Sequence, residues 1–223
     1  MGCEVSRRVV NYFNDPDPSG GVPVSAVPKP RLSVAEYLTG ERKAKFKSEY
    51  YRGETFAMAG ASRQHNRAKE NMAGELYTRL KGRPCQTLSS DQRVKVSATG
   101  LYTYPDIVIV CGQPEYDSDD PDTLLNPVAI IEILSPTTES YDRGAKFRQY
   151  QQLASMQEYV LVSQEEPVVE RFVRQSDGTW VLTVVADLGS EVVFASVPVH
   201  IAMADIYNGV EFPPEPARGP RVE

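Results

Sequence analysis

The sequence predicts an α/β (α+β) domain in which helices flank a mixed β-sheet. Three observations lead there. Residues 128–134 are apolar on both faces of a strand except at Glu132, the pattern of a central strand covered on both sides. Residues 106–110 form a second such run, opened by Asp106 just after Pro105. A long amphipathic helix precedes both strands, and no internal repeat runs through the chain.

Taken in order, Ser33 and Glu36 are spaced as a capping box, so a short helix is expected over 33–38. Residues 46–51 and 54–59 flank Arg52-Gly53, a pairing that suits a β-hairpin. The strongest helix covers 62–81. Ser62 can cap it, Ala68, Met72, Leu76 and Leu80 recur at helical spacing, and Gly82 and Pro84 stop it. Strands follow at 94–96, 106–110, 128–134 and 159–162, with a second helix at 139–153 between the last two. Segments 180–185 and 192–194 read as further strands, with Trp180 as packing.

The ends are of another kind. Five prolines fall in 12–30, so 1–30 is expected to be a flexible lead-in, 31–210 the folded domain and 211–223 a flexible tail. Met1-Gly2-Cys3 matches an N-myristoylation pattern, with a chance match in the lead-in as the plainer reading. No signal peptide and no membrane span are read, and the cytoplasm is the expected location. Cys3, Cys85 and Cys111 are odd in number and share no CxxC spacing. We therefore expect no disulfide framework and no zinc site, with Cys85 and Cys111 as buried small hydrophobes. Only two histidines are present, so any metal would be a hard cation on oxygen ligands.

The informative residues are charges where the pattern places the core. A buried unpaired carboxylate costs several kcal/mol, so it takes up a proton, pairs with a cation or binds a metal. Asp106 begins its strand and Glu132 nears the end of its own. If the strands are antiparallel neighbours, the two carboxylates meet at one sheet edge, and Mg²⁺ or Mn²⁺ suits such a pair. Asp142, Lys146 and Tyr150 share one helix face. A surface ion pair worth about 0.3–0.5 kcal/mol is one reading of that face. In the other, Lys146 leans over the acids to hold water or neutralise a phosphate.

These residues resemble a known group. Tyr-Pro-Asp at 104–106, Ile-Glu-Ile-Leu-Ser-Pro-Thr-Thr at 131–138, Tyr-Asp-Arg-Gly-Ala-Lys at 141–146 and Glu-Tyr-Val-Leu-Val at 158–162 look like the Uma-two family. Arg52-Gly53-Glu54, Met58 and His65-Asn66 resemble its N-terminal half. The family is a bacterial group of restriction-endonuclease-like proteins in the PD-(D/E)XK superfamily. The resemblance covers about 31–208 and implies a restriction-endonuclease-like mixed sheet with a divalent-metal phosphodiesterase site. On it, Asp106 and Glu132 are the metal-binding acids and the Ile133 carbonyl a third ligand. Leu134 departs from the pattern, standing where the superfamily carries its lysine, and Lys146 is the migrated substitute. Glu54 and His65 are accessory candidates. Glu54 equally suits an exposed strand, and His65, on the Met72 and Leu76 face, equally suits a core histidine.

The implied activity is a Mg²⁺- or Mn²⁺-dependent endonuclease acting on DNA, and superfamily pairing admits a homodimer. An inactive nucleic-acid-binding or regulatory module keeping the fold is the alternative, because position 134 lacks the lysine. Glycoside hydrolysis by paired acids is disfavoured by the lack of grouped stacking aromatics. The formal charge of −6 excludes a uniformly basic binder. It averages a polarised chain: residues 41–83 hold eleven Lys or Arg against five acids, whereas 115–122 hold five acids and no base.

Overall fold

A computed structural model describes residues 31–214. The Met1-Gly2-Cys3 pattern, the 1–30 lead-in and residues 215–223 of the tail lie outside the described residues. The described residues divide into two compact units, one ending at Ala59 and the other beginning at Gly60.

In the first unit the capping box forms as the spacing predicts. Ser33 Oγ accepts from the Glu36 N–H, and the Glu36 carboxylate accepts from the Ser33 N–H at 2.8 Å. It opens α1 (Val34–Glu41). Strands β1 (Ser48–Tyr51) and β2 (Glu54–Ala57) pair antiparallel, joined through Arg52 at φ 49° and Gly53 at φ 90°. Two successive positive φ values make the tight turn whose twist matches a hairpin, and Gly53 takes its share without a Cβ penalty. The ring of Tyr37 stacks on Tyr50 with centroids 4.8 Å apart, fixing α1 against β1.

The second unit opens with α2 (Arg63–Leu80), capped by Ser62, whose Oγ accepts from the His65 N–H at 3.0 Å. Then come β3 (Cys85–Ser89), β4 (Arg93–Val96), β5 (Leu101–Thr103), β6 (Ile107–Cys111), β7 (Thr123–Leu124) and β8 (Ala129–Leu134). A helical stretch follows as α3 (Glu139–Tyr141), a π-helical turn (Asp142–Lys146) and α4 (Phe147–Tyr150). The unit finishes with β9 (Glu158–Ser163), β10 (Val169–Arg174), β11 (Trp180–Val185), β12 (Glu191–Val193), β13 (His200–Ala202) and α5 (Met203–Ile206).

Six strands make one mixed sheet in the order β11-β10-β9-β8-β6-β3. Only β8 and β9 pair parallel in it, because the helical stretch between them carries the chain back to the starting edge. Strand β4 pairs antiparallel with β5 and parallel with β7, and β12 pairs with β13. Side chains alternate across a strand. Ile107, Ile109, Ile131, Ile133, Val160 and Val162 therefore join Ala68, Met72, Leu76 and Leu80 of α2 in one core cluster. Each Ile, Val, Leu or Met side chain among them contributes about 1.5–3 kcal/mol by leaving water. Even-numbered Glu132 falls on the opposite face, among the aromatic rings of the helical stretch.

The structure corrects the reading of the cysteines. Cys85 lies opposite Cys111 in the antiparallel β3–β6 register, and the two form a disulfide. Counting parity and searching for CxxC ignores strand pairing, which brings together residues 26 apart. The second helix also ends earlier than 153 and contains the π turn, which periodicity does not signal. Strands β3, β5, β7, β10 and β13 and helix α5 lack a sequence prediction of their own. Phe212 is not free tail: its ring lies 5.3 Å from that of Tyr207.

Candidate metal and phosphodiester site

Strands β6 and β8 run antiparallel with Ile107 opposite Ile131, so the next pair outward is Asp106 beside Glu132. Each carboxylate is tied to the other strand's backbone. The Asp106 N–H donates to Glu132 Oε2 at 3.2 Å, and the Ile133 N–H donates to Asp106 Oδ2 at 2.9 Å. The meeting of strand start and strand end, conditional in the sequence, is realised.

The helical stretch after β8 closes over this pair. Lys146 Nζ lies 2.9 Å from Glu132 Oε1 and 3.3 Å from Asp142 Oδ1. The Tyr150 hydroxyl donates to the same Glu132 Oε1 at 2.8 Å. Asp142, Lys146 and Tyr150 are all buried, so their shared helix face points inward and not to solvent. The π turn over Asp142–Lys146 carries both charged residues, and such turns recur at functional sites. Phe147 anchors the segment by stacking on Tyr159, centroids 4.9 Å apart, while the Tyr159 hydroxyl donates to the Asp142 carbonyl at 3.1 Å.

From the other side α2 delivers His65 in its first turn. Its Nε2 lies 3.2 Å from Asp106 Oδ2, and its Nδ1 is buried without a hydrogen-bond partner among the described residues.

Electrostatics separate the two acids. Burial pushes the Glu132 carboxyl up to about 8; the Lys146 ammonium pulls against it, while Asp142 and Asp106 add to the rise. Burial also pushes the Asp106 carboxyl up. There the hydrogen bond and charge of His65, the Ile133 N–H and Lys146 outweigh it and hold Asp106 below its ordinary value. Neighbouring acids whose environments drive them apart in this way are a recurrent feature of working sites.

The structure thus brings together Asp106, Glu132, Lys146, His65 and the backbone of Ile133. Glu54 belongs to the other unit and is exposed on β2. Leu134 is buried, as its apolar side chain requires. Asp142 and Tyr150 were visible as a helix face but not as parts of a site, since spacing alone cannot tell a buried face from a wet one. The bases of α2 are partly engaged: Arg63 pairs with Glu211, Arg79 with Glu75, and Lys69 lies 3.3 Å from Glu70.

Among the described residues no three His, Cys, Asp or Glu side chains form a ready cation cage. Mg²⁺ does not require one, because it commonly sits on one or two carboxylates and keeps several waters. Two adjacent carboxylates, one of them partly open to solvent, with a neighbouring backbone carbonyl, are a donor set of that type. No helix among the described residues is long and apolar enough to cross a membrane.

The chain is 32% identical over 187 residues to the uncharacterized protein slr1290 of Synechocystis sp., covering 84% of this chain and 97% of that one. It is 32% identical over 168 residues to sll1609 of the same organism, covering 75% and 95%. Its fold matches the crystal structure of "a putative nuclease belonging to DUF820" from Anabaena variabilis, with a TM-score of 0.66 at 18% identity over 81% of this chain and 99% of that one. Residues 34–204 match Uma2, described as "Putative restriction endonuclease", and the chain belongs to that family.

Proposed function

We propose that the protein is a Mg²⁺- or Mn²⁺-dependent endonuclease that hydrolyses phosphodiester bonds of DNA. One observation carries this reading: Asp106 and Glu132 stand side by side at the strand ends with the Lys146 ammonium on Glu132. Asp106, Glu132 and the Ile133 carbonyl would hold the ion. Such an ion supplies Lewis-acid polarisation of a phosphoryl oxygen and lowers the pKa of a bound water.

The chain's own residues have distinct parts in this reading. Lys146, migrated from strand to helix, sets a positive charge where the transferring phosphoryl group accumulates negative charge. Its ammonium 2.9 Å from Glu132 Oε1 supports this part. Tyr150 and the Asp106 N–H hold the Glu132 carboxylate in place, and His65 does the same for Asp106. These are positioning residues.

Supercoiled plasmid incubated with Mn²⁺ tests the proposal. Nicking is expected from the native chain and absent in Lys146→Ala, with folding retained by circular dichroism. Undiminished cleavage by Lys146→Ala would remove Lys146 from the chemistry. No cleavage by the native chain with any metal or nucleic acid would favour an inactive binding or regulatory module that keeps the fold.

A further inference from the structure

Three buried or nearly buried carboxylates, Asp106, Glu132 and Asp142, follow one another through the site, an arrangement that in other phosphodiesterases holds two ions. In two-metal sites of that kind the ions lie roughly 3.5–4 Å apart. Here Glu132 divides its oxygens. Oε2 faces Asp106, accepting that residue's N–H, whereas Oε1 faces the helix. A second ion would have to sit between Glu132 Oε1 and Asp142. That place holds the Lys146 ammonium, 2.9 Å from one and 3.3 Å from the other.

We infer that Lys146 is a built-in cation occupying the second ion position, so that the site takes a single divalent ion, between Asp106 and Glu132. The inference rests on the proposed metal site and deepens it. The walls agree: the ammonium lies 5.9 and 6.0 Å from the ring centroids of Tyr141 and Tyr150. Ring faces at that distance attract an ammonium, which favours Lys146 as the cation of that place. Removing one partner of a buried pair leaves charge uncompensated, so Lys146 is held as firmly as the acids it serves. Asp142 then acts as a positioning residue through Lys146.

Calorimetric titration with Mn²⁺ alone, together with electron paramagnetic resonance of the loaded protein, reads the stoichiometry without reference to activity. The native chain is expected to bind one ion with the spectrum of isolated Mn²⁺. Lys146→Met is expected to bind two, with the broadening of a coupled pair, and Lys146→Met/Asp142→Asn to return to one. Lys146→Arg, which keeps the charge, should stay at one. Two ions in the native chain, or one in a folded Lys146→Met, would overturn the inference while leaving the metal site standing. No binding by the native chain would overturn both. Should Lys146→Met not fold, the native stoichiometry and Lys146→Arg still decide, two ions in either being fatal.

Discussion

Two buried ionic clusters in the second unit can be set side by side. In one, Arg93 meets Asp120 at 2.6 Å, and its other nitrogens donate to Thr123 Oγ1 at 2.9 Å and Tyr104 Oη at 2.7 Å. Thr123 in turn donates to Asp120, so guanidinium, hydroxyl and carboxylate all bond to one another. In the other, the Lys146 ammonium is shared by Glu132 and Asp142, and a third acid, Asp106, stands beside Glu132. The first cluster pins the acidic 115–122 segment to β4. The second keeps like charges close and leans on burial, which favours a carboxyl that retains its proton. A cluster built for stability matches charge to charge, whereas one that gathers acids is suited to receiving a further cation.

Four experiments would break or sharpen this contrast. Arg93→Met should have the largest effect, a loss of about 3–5 kcal/mol of stability in urea denaturation, because it strands a buried carboxylate. Mn²⁺ affinity should be unchanged; a loss would mean that the two clusters are not separate. Glu132→Gln should do the reverse, weakening Mn²⁺ binding by roughly a hundredfold or more in calorimetry, beyond the loss typical of an outer-shell partner. Its melting temperature should not fall at neutral pH, since a carboxyl raised to about 8 is mostly protonated there and Gln replaces that neutral form.

The third experiment follows pH. The Glu132 carboxyl is raised from 4.5 to about 8, so the native state binds this proton more tightly than the unfolded chain. Its contribution is therefore full below the ordinary value and is lost as pH rises through about 8. Asp106, held low, has the opposite sign: its contribution is present above its ordinary value and lost in acid. With chelator present, the melting temperature should decline from mildly acidic pH to about 8, and Glu132→Gln should flatten that decline. Mn²⁺ affinity should rise over the same window, because a ligating carboxylate must shed its proton. The smallest effect belongs to Tyr150→Phe, which removes one hydrogen bond to Glu132. A loss of about tenfold in Mn²⁺ affinity is expected, at the lower end for an outer-shell partner.

Much of the candidate site is legible in the sequence. Glu132 stood out because a carboxylate inside an apolar run contradicts its surroundings, and Asp106 because it opens the matching run. His65 was ambiguous for a physical reason: in the first turn of α2 it shares the core-facing side of the helix, yet it lies where that side reaches the strand ends. Tyr150 and Asp142 were hidden because an i, i+4 series reads the same on a wet face as on a buried one. The Cys85–Cys111 disulfide was missed since it depends on register, which no local pattern encodes.

The sequence by itself determined α1 and α2 with their serine caps, the two apolar strands and the two acids that break the apolar pattern. Those are short-range matters of propensity, periodicity and the cost of burying charge. Tertiary structure alone decided that β6 and β8 are antiparallel neighbours, that Lys146 turns inward through a π turn, and that Cys85 faces Cys111. Each of these depends on which distant segments pack together. That choice is made by the whole core at once.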